Sequence, residues 1–544
     1  VCMAVSTLLD DTTTRATAAE VGALVSFVET SSEVDVVDVV QLLVRATHAA
    51  PAVAELLAEH PAAAKMFTRL LGCATPQLRR SALQLVALLR RWLATVPPKE
   101  SRRLQLIEIS GEQLRQSLGL FRFDWETYTH LVQLLALDFD KGLQPRSLAA
   151  VAAGGAGSRR VYGAPDTMGV ILDLLSAATR ACASAASARA VVRIAGDLAC
   201  GVEVSAALQD VVLSNPLWQW WLANMMVVAA ESRKQQQRQQ QQQEHQEQQQ
   251  QHYAPPGPEL APVMEPLAAL AAAVMGRACC RAEGWRDVEK FLLVLMSTYC
   301  DDALPMAVDV LTRLMRRVAQ LAAACSAADV PAGVLFTNTC HVLQLVEYTA
   351  YHAEAIQQQS IGAAPQQTYA HSADGDWRFF GLCHAAMRAF QKLWGNDELH
   401  PLATQQVYTH TGTKQPAFVI VLRLALSLFR EARQHFALLV PSASSSPTTS
   451  SPASPATSSS SRGKTKARGE EAFAEFYCQN FSLVNSVVCW LQEKSRVSNK
   501  DLGPVLVWAL HELLVTVSRS TLEADTYNKL LLQLCYVIAR QTAR

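Results

Sequence analysis

Apolar residues recur along this chain at spacings of three and four, the pattern of helices that bury one face. Between Gln77 and Leu93, the residues Leu78, Ala82, Leu85, Leu89 and Trp92 form one stripe, with Arg79, Arg80, Arg90 and Arg91 largely off it. Thr75 stands where an N-cap hydroxyl would accept from the first turn. Pro76 fits the first helical position, because the N–H it lacks has no helical partner there. Pro97 and Pro98 stop the helix. The same grammar predicts further helices: Ser110 with Gln113 as a capping box before Leu114 to Leu118, Asn215-Pro216 opening a helix that carries Trp218 to Val228, and a pattern starting near Trp377 after Asp374-Gly375. Ser520 with Glu523 opens a last helix that buries Leu530, Leu531, Leu534 and Ile538. No long period-two run flanks an Asn-Gly or Asp-Gly turn.

Many helices joined by short Pro- and Ser-punctuated turns predict an all-α fold, an irregular armadillo/HEAT-like α-solenoid with disordered insertions and no exact repeat period. Three segments break the helical pattern. They divide the chain into an N-terminal helical block (1–150), a flexible Ala/Gly loop (151–163), a helical block (164–234), a Gln-rich insertion (235–258), a central block (259–440), a Ser/Thr/Pro-rich basic linker (441–469) and a C-terminal helical block (470–544). The glutamine tract reads either as disordered or as a frayed extension of the preceding helix.

Composition sharpens this picture. Half of the 544 residues are hydrophobic while aromatics are 7%, an Ala, Leu and Val mixture suited to close helix packing. Net charge is zero, from 48 basic and 48 acidic residues, which speaks against a nucleic-acid binder that relies on phosphate neutralisation. The 13 cysteines include no C-x-x-C pair; Cys279 and Cys280 are adjacent, while Cys182, Cys300, Cys489 and Cys535 sit singly in apolar stretches. Reduced, buried thiols follow from that scatter. The most apolar stretch, Phe418 to Leu428, contains Arg423 and runs into Arg430, Glu431 and Arg433. A membrane span needs about 20 mostly uncharged residues, so this reads as a buried helix.

Candidate chemistry is sparse. Gly154, Gly155, Gly157, Ser158 and Arg159 lack the preceding strand and the Lys-Ser/Thr step of a phosphate loop. Cys340-His341 and Cys383-His384 place neighbours about 100° apart on a helix, so neither pair alone forms a metal site. His511-Glu512 lacks the second histidine of a zinc-protease helix, and no G-x-S-x-G elbow occurs. No catalytic residue, cofactor site or metal site is assigned. Trp218, Trp220 and Trp221, with Met225 one turn on from the Trp218/Trp221 face, are packing or partner anchors, and Trp285 joins them. The Ser-Pro steps at Ser446, Ser451 and Ser454 are candidate phosphorylation sites, beside Lys464, Lys466 and Arg468 that could pair with phosphate.

Three stretches in order carry a family resemblance. Asn215-Pro216-Leu217-Trp218-Gln219-Trp220-Trp221-Leu222, then Gly284-Trp285-Arg286-Asp287-Val288-Glu289, then Asn338 to Gln358 with Leu343, Leu345, Val346 and Glu347, resemble elements of the large BEACH-domain, neurobeachin-like proteins. The resemblance spans about Val211 to Gln358 and implies an armadillo-like region upstream of PH-like, BEACH and WD-repeat modules, so that this chain is a portion of a longer protein. It further implies a scaffold in vesicle traffic, autophagy and endolysosomal membrane dynamics that works through protein partners. Such a chain is cytoplasmic, and any membrane association is indirect or made through the other modules. The alternative is an armadillo-like adaptor or transport receptor for linear peptides, which predicts a ladder of exposed Trp and Asn. A helical hydrolase would instead need a deep pocket of convergent titratable groups.

Overall fold

A computed structural model describes residues 17–96, 111–137, 143–154, 165–182, 184–247, 260–297, 303–324, 331–362, 375–408 and 414–418, with isolated positions at 420, 421, 424 and 486. The chain divides into two compact units: residues 1–278 with 290–306, and residues 279–289 with 307–544.

The first unit is built from α1 (Ala18–Thr30), α2 (Glu33–Ala49), α3 (Pro51–Glu59), α4 (Ala63–Leu71), α5 (Pro76–Leu93), α6 (Gly111–Gly119), α7 (Trp125–Ala136), α8 (Leu148–Ala153), α9 (Asp166–Arg180), α10 (Ala185–Val204), α11 (Ala206–Leu213), α12 (Trp218–Glu247) and α13 (Met264–Ala278). Helices pack mainly on near neighbours: α2 on α5, α5 on α7, α9 on α6 and α12, and α10 on α8 and α13. This is the expected all-α, irregular solenoid packing. Its core is aliphatic; Leu78, Ala82, Leu85 and Leu89 of α5 are all fully buried, as their spacing requires, while Trp92 is partly buried.

Polar side chains fasten the stack. Asp197 of α10 accepts the Tyr128 hydroxyl at 2.7 Å and the Leu148 and Ala149 N–H groups at 2.7 and 3.3 Å. One carboxylate thus supplies acceptors to the open first turn of α8 and to a fully buried phenol of α7. Arg69 of α4 donates to the Val28 and Ser31 carbonyls at the end of α1, where acceptors are unfilled.

Three local expectations need correction. Arg79 is buried, not off the stripe: it donates to the Cys73 and Ala74 carbonyls at 2.6 and 2.8 Å and lies 3.8 Å over the Phe121 ring. Thr75 holds the N-cap position without capping. Its Oγ1 donates to Glu33 at 2.6 Å, and the same carboxylate accepts the Ala74 and Thr75 N–H groups. The expected Ala/Gly loop starts later than 151, because Val151 to Ala153 complete α8 with Val151 buried; alanine supports the helix and Gly154 ends it. The helix α12 continues through the glutamine tract to Glu247, taking the extension reading over disorder up to that residue. Ser110, residues 155–164, the 441–469 linker, the Ser520 helix, His511-Glu512, Cys300, Cys489 and Cys535 lie outside the described residues.

The second unit contains the first turn of α14 (Trp285–Ser297), most of α15 (Ala303–Ala324), then α16 (Ala332–Gly362) and α17 (Gly375–Trp394). A 3-10 segment (Asp397–Thr404) follows, and then an antiparallel pair, β1 (Gln406–Tyr408) and β2 (Lys414–Pro416), with Val407 opposite Gln415. Three-residue strands are too short for a period-two signal, which is why the hairpin was not expected within the helical 259–440 block. Phe418, Ile420, Val421 and Leu424 are buried in helical conformation, as read from the sequence. No helix among the described residues is long and apolar enough to cross a membrane.

Candidate contact surfaces around the tryptophan helices

The turn before α12 is a compact device. Asn215 Oδ1 accepts the Leu217 N–H at 3.0 Å, its carbonyl accepts the Trp218 N–H, and Pro216 removes a donor where none is needed. From that start, residues 218, 221 and 225 fall on one helical face. Trp218 and Met225 are 1% exposed and Trp221 5%. The Trp218 ring stacks on Phe291 with centroids 6.1 Å apart, and the Trp221 indole N–H donates to Asp173 of α9 at 3.0 Å. Gly169 of α9 makes the approach possible: a Cβ there would lie 2.2 Å from Asn215 Nδ2 and 3.8 Å from the Trp221 ring.

Trp220 faces the other way. It is 42% exposed and Leu217, one turn earlier, is 51% exposed, with the Arg180 guanidinium 5.9 Å from the Trp220 ring. The cluster therefore separates into packing residues, Trp218 and Trp221, and one solvent-facing indole on a helix whose base is fixed from below.

In the second unit, Trp285 begins α14 after a turn in which Glu283 adopts φ 55°. Asn338, on α16 and fully buried, closes this turn from 53 residues away: its Oδ1 accepts the Trp285 N–H at 3.3 Å, and its Nδ2 donates to the Cys279 and Arg281 carbonyls at 2.8 and 2.7 Å. Three backbone groups of the turn are thus matched by one uncharged amide. The Trp285 ring then stacks on His341, centroids 4.5 Å apart, with Arg286 at 5.7 Å from the same ring. Burial and the Arg286 charge hold the His341 pKa below its ordinary value, with a Gln344 hydrogen bond opposing them. Trp285 is partly exposed, so one edge of the stack reaches solvent.

Cys340, beside His341, is fully buried with its thiol pushed up to about 12 by burial, and burial raises the Cys279 thiol as well. Neither is poised as a nucleophile. Among the described residues no group of three or more His, Cys, Asp or Glu side chains is placed to hold a metal. Ser446, Ser451 and Ser454 lie outside the described residues. Asp173, Asn338 and Gly169 were not singled out from sequence as the residues that fix the tryptophans, although Asn338 opened the third resembling stretch.

Comparison with known proteins gives one informative match. The family model described as "Neurobeachin/BDCP, DUF4704 alpha solenoid region" matches residues 3–295, more than half of the chain. No curated protein matches. Among solved structures, an engineered protein is 11% identical with a TM-score of 0.23, over 95% of this chain and 98% of that one. A circular tandem repeat protein with novel repeat topology and enhanced subunit contact surfaces is 12% identical with a TM-score of 0.22, over 99% and 97%. Importin beta is 12% identical with a TM-score of 0.18, over 99% of this chain and 66% of that one. Likenesses at these TM-scores carry no argument here. The helical packing, the Asn-Pro-x-Trp-Gln turn and the matched span agree on one placement: the chain belongs to the neurobeachin/BDCP family and carries its DUF4704 alpha solenoid region.

Proposed function

We propose that this scaffold-like segment of a neurobeachin-type protein works without catalysis, through protein–protein contacts, in vesicle trafficking and endolysosomal or autophagic membrane dynamics. In this reading the chain is cytoplasmic and peripheral to endomembranes, binds no nucleic acid, and uses Trp220 as a partner anchor. Family membership supports the scaffold assignment. The observation that carries the contact role is Trp220, 42% exposed beside Leu217 on a helix whose opposite face is locked by Trp218 and Trp221. A rigidly based, solvent-facing indole offers a large contact area with little side-chain entropy to lose on binding. Ser446, Ser451 and Ser454 are the proposed phosphoacceptors that would regulate it.

Proximity labelling in cells tests the reading. An endolysosomal or autophagic neighbourhood that thins for Trp220→Ala, with the variant's melting temperature unchanged, is the expected result. A nuclear-transport neighbourhood would replace this reading with the linear-peptide receptor. An endolysosomal neighbourhood indifferent to Trp220→Ala would remove the indole from it while leaving the traffic role. Phosphopeptide mapping that recovers the three serines unmodified would remove the regulatory part.

A further inference from the structure

Past its packed base, α12 stays helical through a run of polar residues. Leu222, Met226 and Ala230 are buried, whereas Glu231, Arg233, Gln235 and Arg238 are exposed. Glutamine is a good helix former, and extending a helix that is already anchored needs no new nucleus. Within the extension, Arg233, Gln237, Gln240, Glu244 and Glu247 follow one another at spacings of four, three, four and three. That alternation is the heptad seam along which two helices pair. Met226 and Ala230 precede it at the same spacing and are covered where α12 packs on its neighbours, so the seam comes out into solvent at Arg233.

The order of residues along the seam selects the partner and its direction. It begins on a cation, passes through two glutamines and ends on carboxylates. A second copy laid antiparallel sets Arg233 opposite Glu244 and Gln237 opposite Gln240, and the two-fold axis between the copies repeats both pairs on its other side. Every layer from Arg233 to Glu244 is then complementary, because a glutamine amide carries both donors and an acceptor and can pair with its like. A parallel copy in register would instead set Arg233 on Arg233 and Glu244 on Glu244, with like charges facing. We propose that the glutamine-rich extension of α12 joins two copies of this chain as a short antiparallel coiled coil, with Arg233 and Glu244 as its reciprocal ion pair. Polar residues on a seam fix register and direction while lowering stability, so the dimer is weak and sensitive to salt.

The dimer does not depend on Trp220, and charge swaps test it separately. Sedimentation velocity of the full chain at low salt, from about 5 to about 200 µM, is expected to show monomer–dimer exchange that weakens as salt is added. R233E and E244R each place like charges in both end layers and are expected to raise the dissociation constant at least about tenfold. Mixing the two variants restores opposite charges in both end layers, as does the double variant R233E/E244R, and each is expected to return to within about threefold of the parent. The control R238E changes the charge about 140° round the helix from Arg233 and is expected to leave the dimer intact. Matching melting curves show that each variant is folded. A chain that stays monomeric throughout, a dimer indifferent to R233E, equal weakening by R238E, or a mixture that fails to restore association would each overturn the proposal.

Discussion

Asn338 and Trp285 are joined across 53 residues by a single hydrogen bond, from the backbone N–H that opens α14 to the Asn338 side-chain oxygen at 3.3 Å. The same amide holds the Cys279 and Arg281 carbonyls, so one side chain fixes both sides of the turn that aims Trp285 at His341.

Removing that amide takes one hydrogen bond each from the Trp285 N–H and the Cys279 and Arg281 carbonyls, of which the last keeps the Gly284 N–H. Asn338→Ala is expected to cost about 2–4 kcal/mol, read as a shift in the urea midpoint. Asn338→Asp, which keeps the acceptor but turns a carboxylate toward two carbonyl oxygens, should cost at least as much. An alanine variant within about 0.5 kcal/mol of the parent would show that the turn holds itself.

Neighbouring tryptophans should behave in opposite ways. Trp218→Ala empties a site that is 1% exposed and should cost about 3–5 kcal/mol, while Trp220→Ala should stay within about 1 kcal/mol of the parent. Thermal denaturation of the two variants side by side checks this, and equal losses would mean that Trp220 is part of the core.

How far the sequence speaks for itself can be seen at α5. The Leu78, Ala82, Leu85, Leu89 stripe was legible because burial there follows from spacing alone. Arg79 was misread because its partners are the Cys73 and Ala74 carbonyls of the preceding turn, which periodicity does not encode. Thr75 was placed correctly and given the wrong bond, since Glu33 lies 42 residues earlier in the chain. The tryptophan cluster behaved likewise. Spacing grouped Trp218 with Trp221, but Asp173 and Asn338 act over 48 and 53 residues, and no local pattern announces a partner at that distance.

Two glycines provide a signed comparison. Gly169→Ala would push a methyl to 2.2 Å from Asn215 Nδ2 and should destabilise by about 1–3 kcal/mol. Gly196→Ala, inside α10 with nothing within 4 Å of the new methyl, should stabilise by about 0.5–1 kcal/mol. Melting temperatures moving the same way in both variants would contradict the helix crossing described for α9 and α12.

Stability should also depend on pH from both sides. Burial lowers the pKa of His130, His341 and His384, so each favours the folded state when neutral. Their contribution is complete above the ordinary value of 6.5 and is lost as pH falls toward the folded-state values. Tyr128 acts in the other direction: burial, then the Asp197 charge, raise its pKa well above 10.0. Its contribution is intact below pH 10.0 and declines above it. Melting temperature measured across the pH range should show both limbs, and Tyr128→Phe should flatten the alkaline one.

The unbroken run of α12 into the glutamine tract has a mechanical meaning. Each glutamine gained or lost within α12 moves the helix tip at Glu247 by about 1.5 Å and turns it through about 100°. A change in tract length would therefore act as a dial on where that tip points, with seven residues bringing it almost back to its starting azimuth after about 10 Å of travel.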